Sequence, residues 1–170
     1  MKLLQDWGFS ANSWQGQRGE YWVLAQGILL IGLVLLPIYR PPGLTLPPAP
    51  RLYAIWGIAG LLGLAGSGLF LKGLLDLGRS LTPLPHPRDD GHLVESGVYT
   101  LVRHPVYSGV ILITLAIAVL LLSLSHLIGA IACFLFFNAK ANREETWLQQ
   151  KYLGYANYQG RVKKLIPWLY

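Results

Sequence analysis

The stretch SGVYTLVRHPVYSG, residues 96–109, puts an arginine, a histidine and a proline at the lip of an uncharged run that extends over residues 106–138. Pro105 suits the first turn of a helix, where its missing N–H is harmless, so Arg103 and His104 stand just ahead of the helix start. Backbone N–H groups at such a start are unpaired, and the helix dipole is positive there. That end suits a carboxylate or phosphate oxygen, and Arg103 adds a fork-shaped cation. The same residues also read as an Arg/Tyr anchor at a membrane interface, with Tyr99 and Tyr107 on either side. Taken alone, the short motif leaves both readings open.

A second cluster shifts the balance. Glu144 and Glu145 follow the apolar run, with Asn138, Lys140 and Asn142 nearer the membrane. On one helix Lys140 and Glu144 are spaced i, i+4, and a plain surface pair there contributes only a few tenths of a kcal/mol. Yet the run at 106–138 is too long for a single crossing, and only Ser-Leu-Ser-His at 123–126 can turn it back. A hairpin brings the start of its first helix beside the end of its second, so topology makes His104 and Glu144 neighbours. A cationic rim facing an acidic pair suits a zwitterionic ligand with both a carboxylate and an amine. Metal binding is disfavoured because His86, His92, His104 and His126 lack helical i, i+4 pairing. No nucleophile-elbow pattern supports serine hydrolysis. The single cysteine, Cys133, excludes an internal disulfide and reads as a small core side chain.

The elements that hold these groups are apolar. Of 170 residues, 53% are hydrophobic and 13% charged, too few to cover a water-soluble globule of this size. Residues 21–39 and 52–71 carry an uncharged stretch of roughly 20 residues each, enough to cross a bilayer as a helix. With the hairpin at about 106–122 and 126–143, the expectation is a single-domain, all-α integral membrane protein with four spans, a loop at 72–105 and a tail at 144–170. Twelve of the fourteen basic residues fall on one face of that topology, with Arg40 and Arg51 opposite. The positive-inside rule then places both termini and the 72–105 loop in the cytoplasm. All eight acidic residues share that face, so the net charge of +6 reflects topology and anionic-lipid contact, not nucleic-acid binding. No cleavable leader is expected, since the first apolar run follows about twenty mostly polar residues. Residues 1–20 read as an interfacial segment, and the prolines at 40–50 as an external turn. The five glycines of span two read as close helix packing. Pro83, Pro85 and Pro87 make the long loop irregular, and a loop longer than a connection requires is usually functional.

Taken together, LVESGVYTLVRHPVYSG, an apolar hairpin, REETWL and YANYQGRV resemble the isoprenylcysteine carboxyl methyltransferase family and its wider group of membrane-embedded methyltransferases. The resemblance covers about residues 72–168, and its joint motif is far more specific than any part. It implies S-adenosylmethionine as cofactor, in a cytoplasmic pocket closed by the loop and the tail, and a lipophilic or small acceptor that enters sideways from the membrane. Carried over by residue, it implies that Leu93 and Val94 hold the adenine side. Tyr99, His104, Pro105 and Tyr107 would line the cofactor pocket, with Glu144 meeting the cofactor and Glu145 supporting it. Arg103 would be cofactor-facing or structural. Lys140 stands where eukaryotic members carry an arginine that contacts the substrate carboxylate, so it becomes the candidate acceptor-binding residue. A carboxylate acceptor needs no strong base, whereas an amine or hydroxyl must lose a proton, for which His104 or Glu145 are the candidates. The rival readings are a sterol-reductase-like, nicotinamide-dependent membrane enzyme and a non-catalytic transporter or scaffold subunit.

Overall fold

A computed structural model describes residues 16–43 and 46–170. Its elements are α1 (Glu20–Leu35), α2 (Ala49–Leu77), α3 (Pro105–Leu121), α4 (Leu124–Lys151) and the short α5 (Tyr155–Arg161), with 3-10 turns at Gly78–Ser80 and Gly97–Thr100. All regular structure among the described residues is helical, as expected from the sequence. Most of the interfacial segment expected over residues 1–20 lies outside them.

Two helices, α2 continued to Ser80 and α4, are long and apolar enough to cross a membrane, while α1 and α3 are shorter apolar helices. Their outward faces carry large hydrophobic side chains left bare, among them Ile28 at 73%, Val34 at 84% and Leu64 at 74% exposed. Water does not tolerate a continuous surface of that kind, but lipid does. The chain is accordingly a membrane protein. The first helix ends sooner than the apolar run does, because Pro37 forces Leu36 out of the helical region to φ −60°, ψ 130°.

The packing core is the pair α2/α3. Gly66 and Gly109 sit where the two backbones nearly touch: a Cβ on Gly109 would lie 2.6 Å from the Gly66 carbonyl oxygen and 2.7 Å from the Phe70 nitrogen. Toward the C-terminal end of α2, Gly73 leaves the space that Pro105 and Val106 occupy. The helices therefore approach through small residues and not through interdigitated large ones. The glycines elsewhere in α2 do not all serve this purpose, since a Cβ on Gly57, Gly60 or Gly68 meets nothing within 4 Å.

The α3–α4 hairpin turns at Leu122, which adopts a left-handed conformation at φ 48°. Arg40 closes α3 by donating from Nε (3.1 Å) and Nη2 (2.9 Å) to the Leu121 carbonyl, the expected use of a cation at a helix C-terminus. Ser123 and His126 bond each other at 2.9 Å across the first turn of α4. His126 thus belongs to the hairpin tip and lies far along the chain from the acidic pair. At the opposite end α4 continues without a break to Lys151, carrying Glu144 and Glu145 out of the apolar region. The chain then doubles back through α5, and its last residues run alongside residues 102–104, with Val102 and Lys163 forming an isolated parallel bridge.

Candidate functional site

Pro105 occupies the first turn of α3, as the sequence implies, and is buried. The two backbone N–H groups just ahead of the helix start are taken by the returning tail. The Arg103 N–H donates to the Lys163 carbonyl (2.8 Å) and the His104 N–H to the Lys164 carbonyl (3.1 Å). Ser108 adds a third tie, donating to the Leu165 carbonyl at 2.7 Å.

Arg103 also faces inward. Its Nε and Nη2 lie 2.9 and 2.8 Å from Glu145 Oε1, and Nη1 donates to the carbonyls of Gln159 and Val162. With side chains 7% and 6% exposed, the two form a buried pair whose remaining donors are spent on α5 and the tail. A buried guanidinium is tolerable only with such complete pairing. The second Glu145 oxygen accepts from Gln159 Nε2 at 3.0 Å. Burial by itself raises the Glu145 carboxyl, but hydrogen bonds from His104 and Arg103 outweigh it and hold the group down at about 2.

His104 stands between the two acids. Its Nε2 is 3.0 Å from Glu145 Oε1, and its Nδ1 is 3.8 Å from Glu144 Oε2. The imidazole stacks on Tyr107 with ring centres 5.3 Å apart and planes 3° from parallel, and Tyr107 stacks in turn on Phe137 at 4.8 Å. The Tyr107 hydroxyl donates to Glu144 Oε2 at 2.7 Å. Glu144 retains 25% side-chain exposure. Helix hairpin geometry thus brings His104 and Glu144 together, as topology requires, and the two adjacent acids part company. Glu145 turns into the clasp with Arg103, whereas Glu144 turns toward open space.

That space is a cavity with about 800 Å³ free of atoms, part of it open to solvent. Of the residues expected at the site, Leu93, Val94, Tyr99, Arg103, His104, Tyr107 and Glu144 all belong to its wall. Pro105 and Glu145 stand behind the wall. Lys140 does not reach it either: only 1% exposed, it donates to Gln26 Oε1 (2.6 Å) and the Pro83 carbonyl (3.0 Å), with the Tyr107 ring 5.3 Å away. The i, i+4 surface pair with Glu144 is accordingly not formed. Lys140 instead ties α1 to the proline-rich loop.

Closure by the loop and the tail was expected, but without the residues that provide it. His92 of the loop, Leu148 and Tyr152 of α4 and its exit, and Tyr155 and Tyr158 of α5 close the cavity. The only signal was the tyrosine pair in YANY, set three residues apart, which suits a headgroup-level tail equally well. Tyr99 and Tyr158 are linked, the Tyr158 hydroxyl donating to the Tyr99 carbonyl at 2.7 Å and the Tyr99 hydroxyl to the Gly73 carbonyl at 3.2 Å. Asp76 sets the turn that carries Tyr99: its carboxylate accepts from the Val98 N–H at 2.9 Å and leaves no room for a Cβ on Gly97, whose φ is +62°. Burial pushes both the Tyr99 and Tyr158 hydroxyls well up, which keeps them neutral donors.

The wall thus has two characters, an apolar and aromatic part around Leu93, Val94, Leu148 and Tyr152, and an ionic part around Glu144. These groups fit a nucleoside that carries a cationic amino-acid chain. Among the described residues no cluster of three metal-ligating side chains occurs.

The chain is similar to known proteins. The model of the isoprenylcysteine carboxyl methyltransferase family matches residues 60–150, just over half of the chain. The protein-S-isoprenylcysteine O-methyltransferase B of Arabidopsis thaliana is 34% identical over 101 residues, covering 56% of this chain and 51% of the relative. The protein-S-isoprenylcysteine O-methyltransferase of Dictyostelium discoideum is 27% identical over 127 residues, covering 72% of this chain and 54% of the relative. The chain spans about half the length of the curated relatives it matches.

Proposed function

The chain belongs to the isoprenylcysteine carboxyl methyltransferase family, and from that membership we propose that it is a membrane-embedded, S-adenosylmethionine-dependent methyltransferase acting at the cytoplasmic membrane face. The observation that carries the reading is the Glu144 carboxylate, held by Tyr107 at 2.7 Å and facing His104, in the wall of a cavity that Leu93 and Val94 also line. The acceptor in this proposal is lipid-like or small, reached from the bilayer side of that cavity.

When bound, the cofactor supplies an electrophilic methyl group on a sulfonium, which the acceptor's nucleophile takes in line while a neutral thioether departs. What remains for the protein is alignment and the exclusion of water. Glu144 binds the ligand's ammonium group, and Tyr107 fixes the carboxylate that does so. Leu93 and Val94 provide the apolar surface for the base. Pro105 sets the start of α3 so that His104 and Tyr107 project to one side. Arg103 and Glu145 hold the tail over the site, and in this reading they position other groups and touch no reacting atom. His104 is the group able to hold or move a proton, at Nδ1, for an acceptor that must lose one. Lys140 sets the loop through the Pro83 carbonyl, and an acceptor carboxylate can reach it only by displacing that carbonyl or Gln26. All four apolar helices cross the bilayer in this arrangement, with the loop and the tail on the cytoplasmic side, a topology that the distribution of basic residues supports.

The test incubates purified protein with methyl-labelled S-adenosylmethionine and, separately, an S-farnesylcysteine analogue and a membrane lipid extract. Label is expected in an organic-extractable acceptor, and Glu144→Gln is expected to lower it at least about tenfold, the loss of one charged hydrogen bond. Binding of NADPH with no binding of S-adenosylhomocysteine overturns the proposal.

A further inference from the structure

A second hollow, with about 890 Å³ free of atoms and part of it open, runs along the α3–α4 hairpin. Leu112 and Leu115 of α3, Ile131 and Phe134 of α4, and Leu165 and Ile166 of the tail line it, and among the described residues it shares none with the first cavity. Ala130 and Leu165 are buried in its wall, whereas Leu127, Ile131 and Ile166 stay exposed, so it is a groove open at the side. From Leu127 to Phe134 it follows α4 for about 10 Å, at about 1.5 Å per residue.

The wall decides what kind of occupant fits. Ser108 supplies its one polar side chain, and that hydroxyl already faces the His104 carbonyl at 3.1 Å and the Leu165 carbonyl at 2.7 Å. Water finds no partners in such a space. The groove also opens from the apolar stretch of α4, a helix long enough to cross a membrane. Hydrocarbon is what fills it.

Charge decides what the hydrocarbon is attached to. One helical turn beyond Phe134 stands Asn138, and there Lys164 Nζ donates to Asn138 Oδ1 (3.2 Å), Asn142 Oδ1 (2.6 Å) and the Tyr170 hydroxyl (3.4 Å). All three partners are neutral, so none of them offsets the ammonium charge. The Tyr170 ring, whose centre is 5.0 Å from that ammonium, also packs on Phe134 at 6.3 Å, which places the cation at the end of the groove. Lys163, the preceding residue of the tail, is exposed. A hydrocarbon chain with an anion at its polar end fits this arrangement, and a membrane supplies one as an anionic phospholipid.

We infer that the groove binds one anionic phospholipid of the surrounding bilayer, with an acyl chain along α3 and α4 and the phosphate beside Lys163 and Lys164. The site is separate from the methyl-transfer cavity, yet the same stretch of tail serves both, since the Lys163 and Lys164 carbonyls receive the Arg103 and His104 N–H groups. A lipid in the groove therefore steadies the tail where it pairs with the start of α3.

The test is native mass spectrometry of the full chain in a neutral detergent, with phosphatidylglycerol and phosphatidylcholine of identical acyl chains. One phosphatidylglycerol per chain is expected to stay bound, with about a tenfold or greater preference over phosphatidylcholine, because two lysines near the phosphate act together. Phosphatidylglycerol is also expected to raise the melting temperature of the parent more than phosphatidylcholine does. Lys163→Gln combined with Lys164→Gln is expected to abolish the preference, whereas Arg79→Gln, which removes an exposed cation elsewhere, leaves it intact. Leu127→Trp fills the groove from its open side and is expected to weaken binding of both lipids severalfold. Equal retention of the two lipids by the parent overturns the inference, as does a preference that survives the double lysine substitution or lipid binding that survives Leu127→Trp. Displacement of the bound phosphatidylglycerol by an S-farnesylcysteine analogue also overturns it, because the groove then holds the acceptor. Each of these readouts is made without the cofactor, so failure here leaves the methyl-donor reading in place.

Discussion

Glu145→Gln keeps the shape of the side chain and removes its charge, leaving Arg103 as a buried cation that faces a neutral amide. In the native structure one carboxylate oxygen takes Arg103 Nε and Nη2 at 2.9 and 2.8 Å and His104 Nε2 at 3.0 Å, and the other takes Gln159 at 3.0 Å. Breaking a buried pair by removing one partner costs about 3–5 kcal/mol. For a chain of this size roughly 2–4 °C of melting temperature accompanies each kcal/mol, so the expected loss is about 6–20 °C. The control is Glu95→Gln, which removes a half-exposed partner of Arg161, itself 68% exposed. Pairs of that kind are worth about 0–1 kcal/mol, and the expected loss is below about 4 °C. A double variant, Arg103→Met with Glu145→Met, removes both charges and is expected to recover part of the loss. The recovery stays partial because the Gln159 and Val162 carbonyls and the His104 ring each lose a partner. The assay is thermal unfolding in lipid nanodiscs followed by tryptophan emission, with Trp147 two residues from the substitution. A loss for Glu145→Gln no larger than that for Glu95→Gln, or a double variant worse than the two single variants summed, refutes the claim that this pair clasps the tail.

The remaining predictions follow from single geometric facts. The Glu145 carboxyl is held at about 2 against an ordinary value of 4.5; because its folded value is depressed, its stabilisation is complete above the ordinary value and disappears as pH falls from there toward the folded one. Melting temperature measured between pH 6 and pH 3 is therefore expected to fall more steeply for the parent than for Glu145→Gln, and parallel slopes contradict this. Gly109→Ala places a Cβ 2.6 Å from the Gly66 carbonyl oxygen and is expected to destabilise by about 1–3 kcal/mol. Gly68→Ala, whose Cβ meets nothing within 4 Å, is expected to be neutral or stabilising, as Gly to Ala in a helix generally is. Equal melting temperatures for these two variants contradict the close-contact account of α2 and α3.

Much of the architecture was legible in the sequence because apolar length and charge placement act through solvent, and solvent preference is a property of each segment alone. Residues 21–39, 52–71 and the run from 106 read as helices, and helices stand there, with boundaries moved where Pro37 stops one early and where α4 continues to Lys151. The proximity of His104 and Glu144 was likewise legible, since any hairpin must join its two open ends. What the sequence left open was rotation and closure. Glu144 and Glu145 are adjacent, yet about 100° separates neighbours around a helix, so only the packing of α4 against α3 decides which acid pairs with Arg103 and which faces the cavity. The same rotation puts Lys140 on Gln26 and the Pro83 carbonyl, one helical turn from Glu144 and without a bond to it. The pairing of the Arg103 and His104 N–H groups with the Lys163 and Lys164 carbonyls, and the place of Tyr155 in the cavity wall, depend on contacts across some fifty to sixty residues of chain. Local periodicity carries no trace of such contacts, because their free energy appears only once the tail has docked.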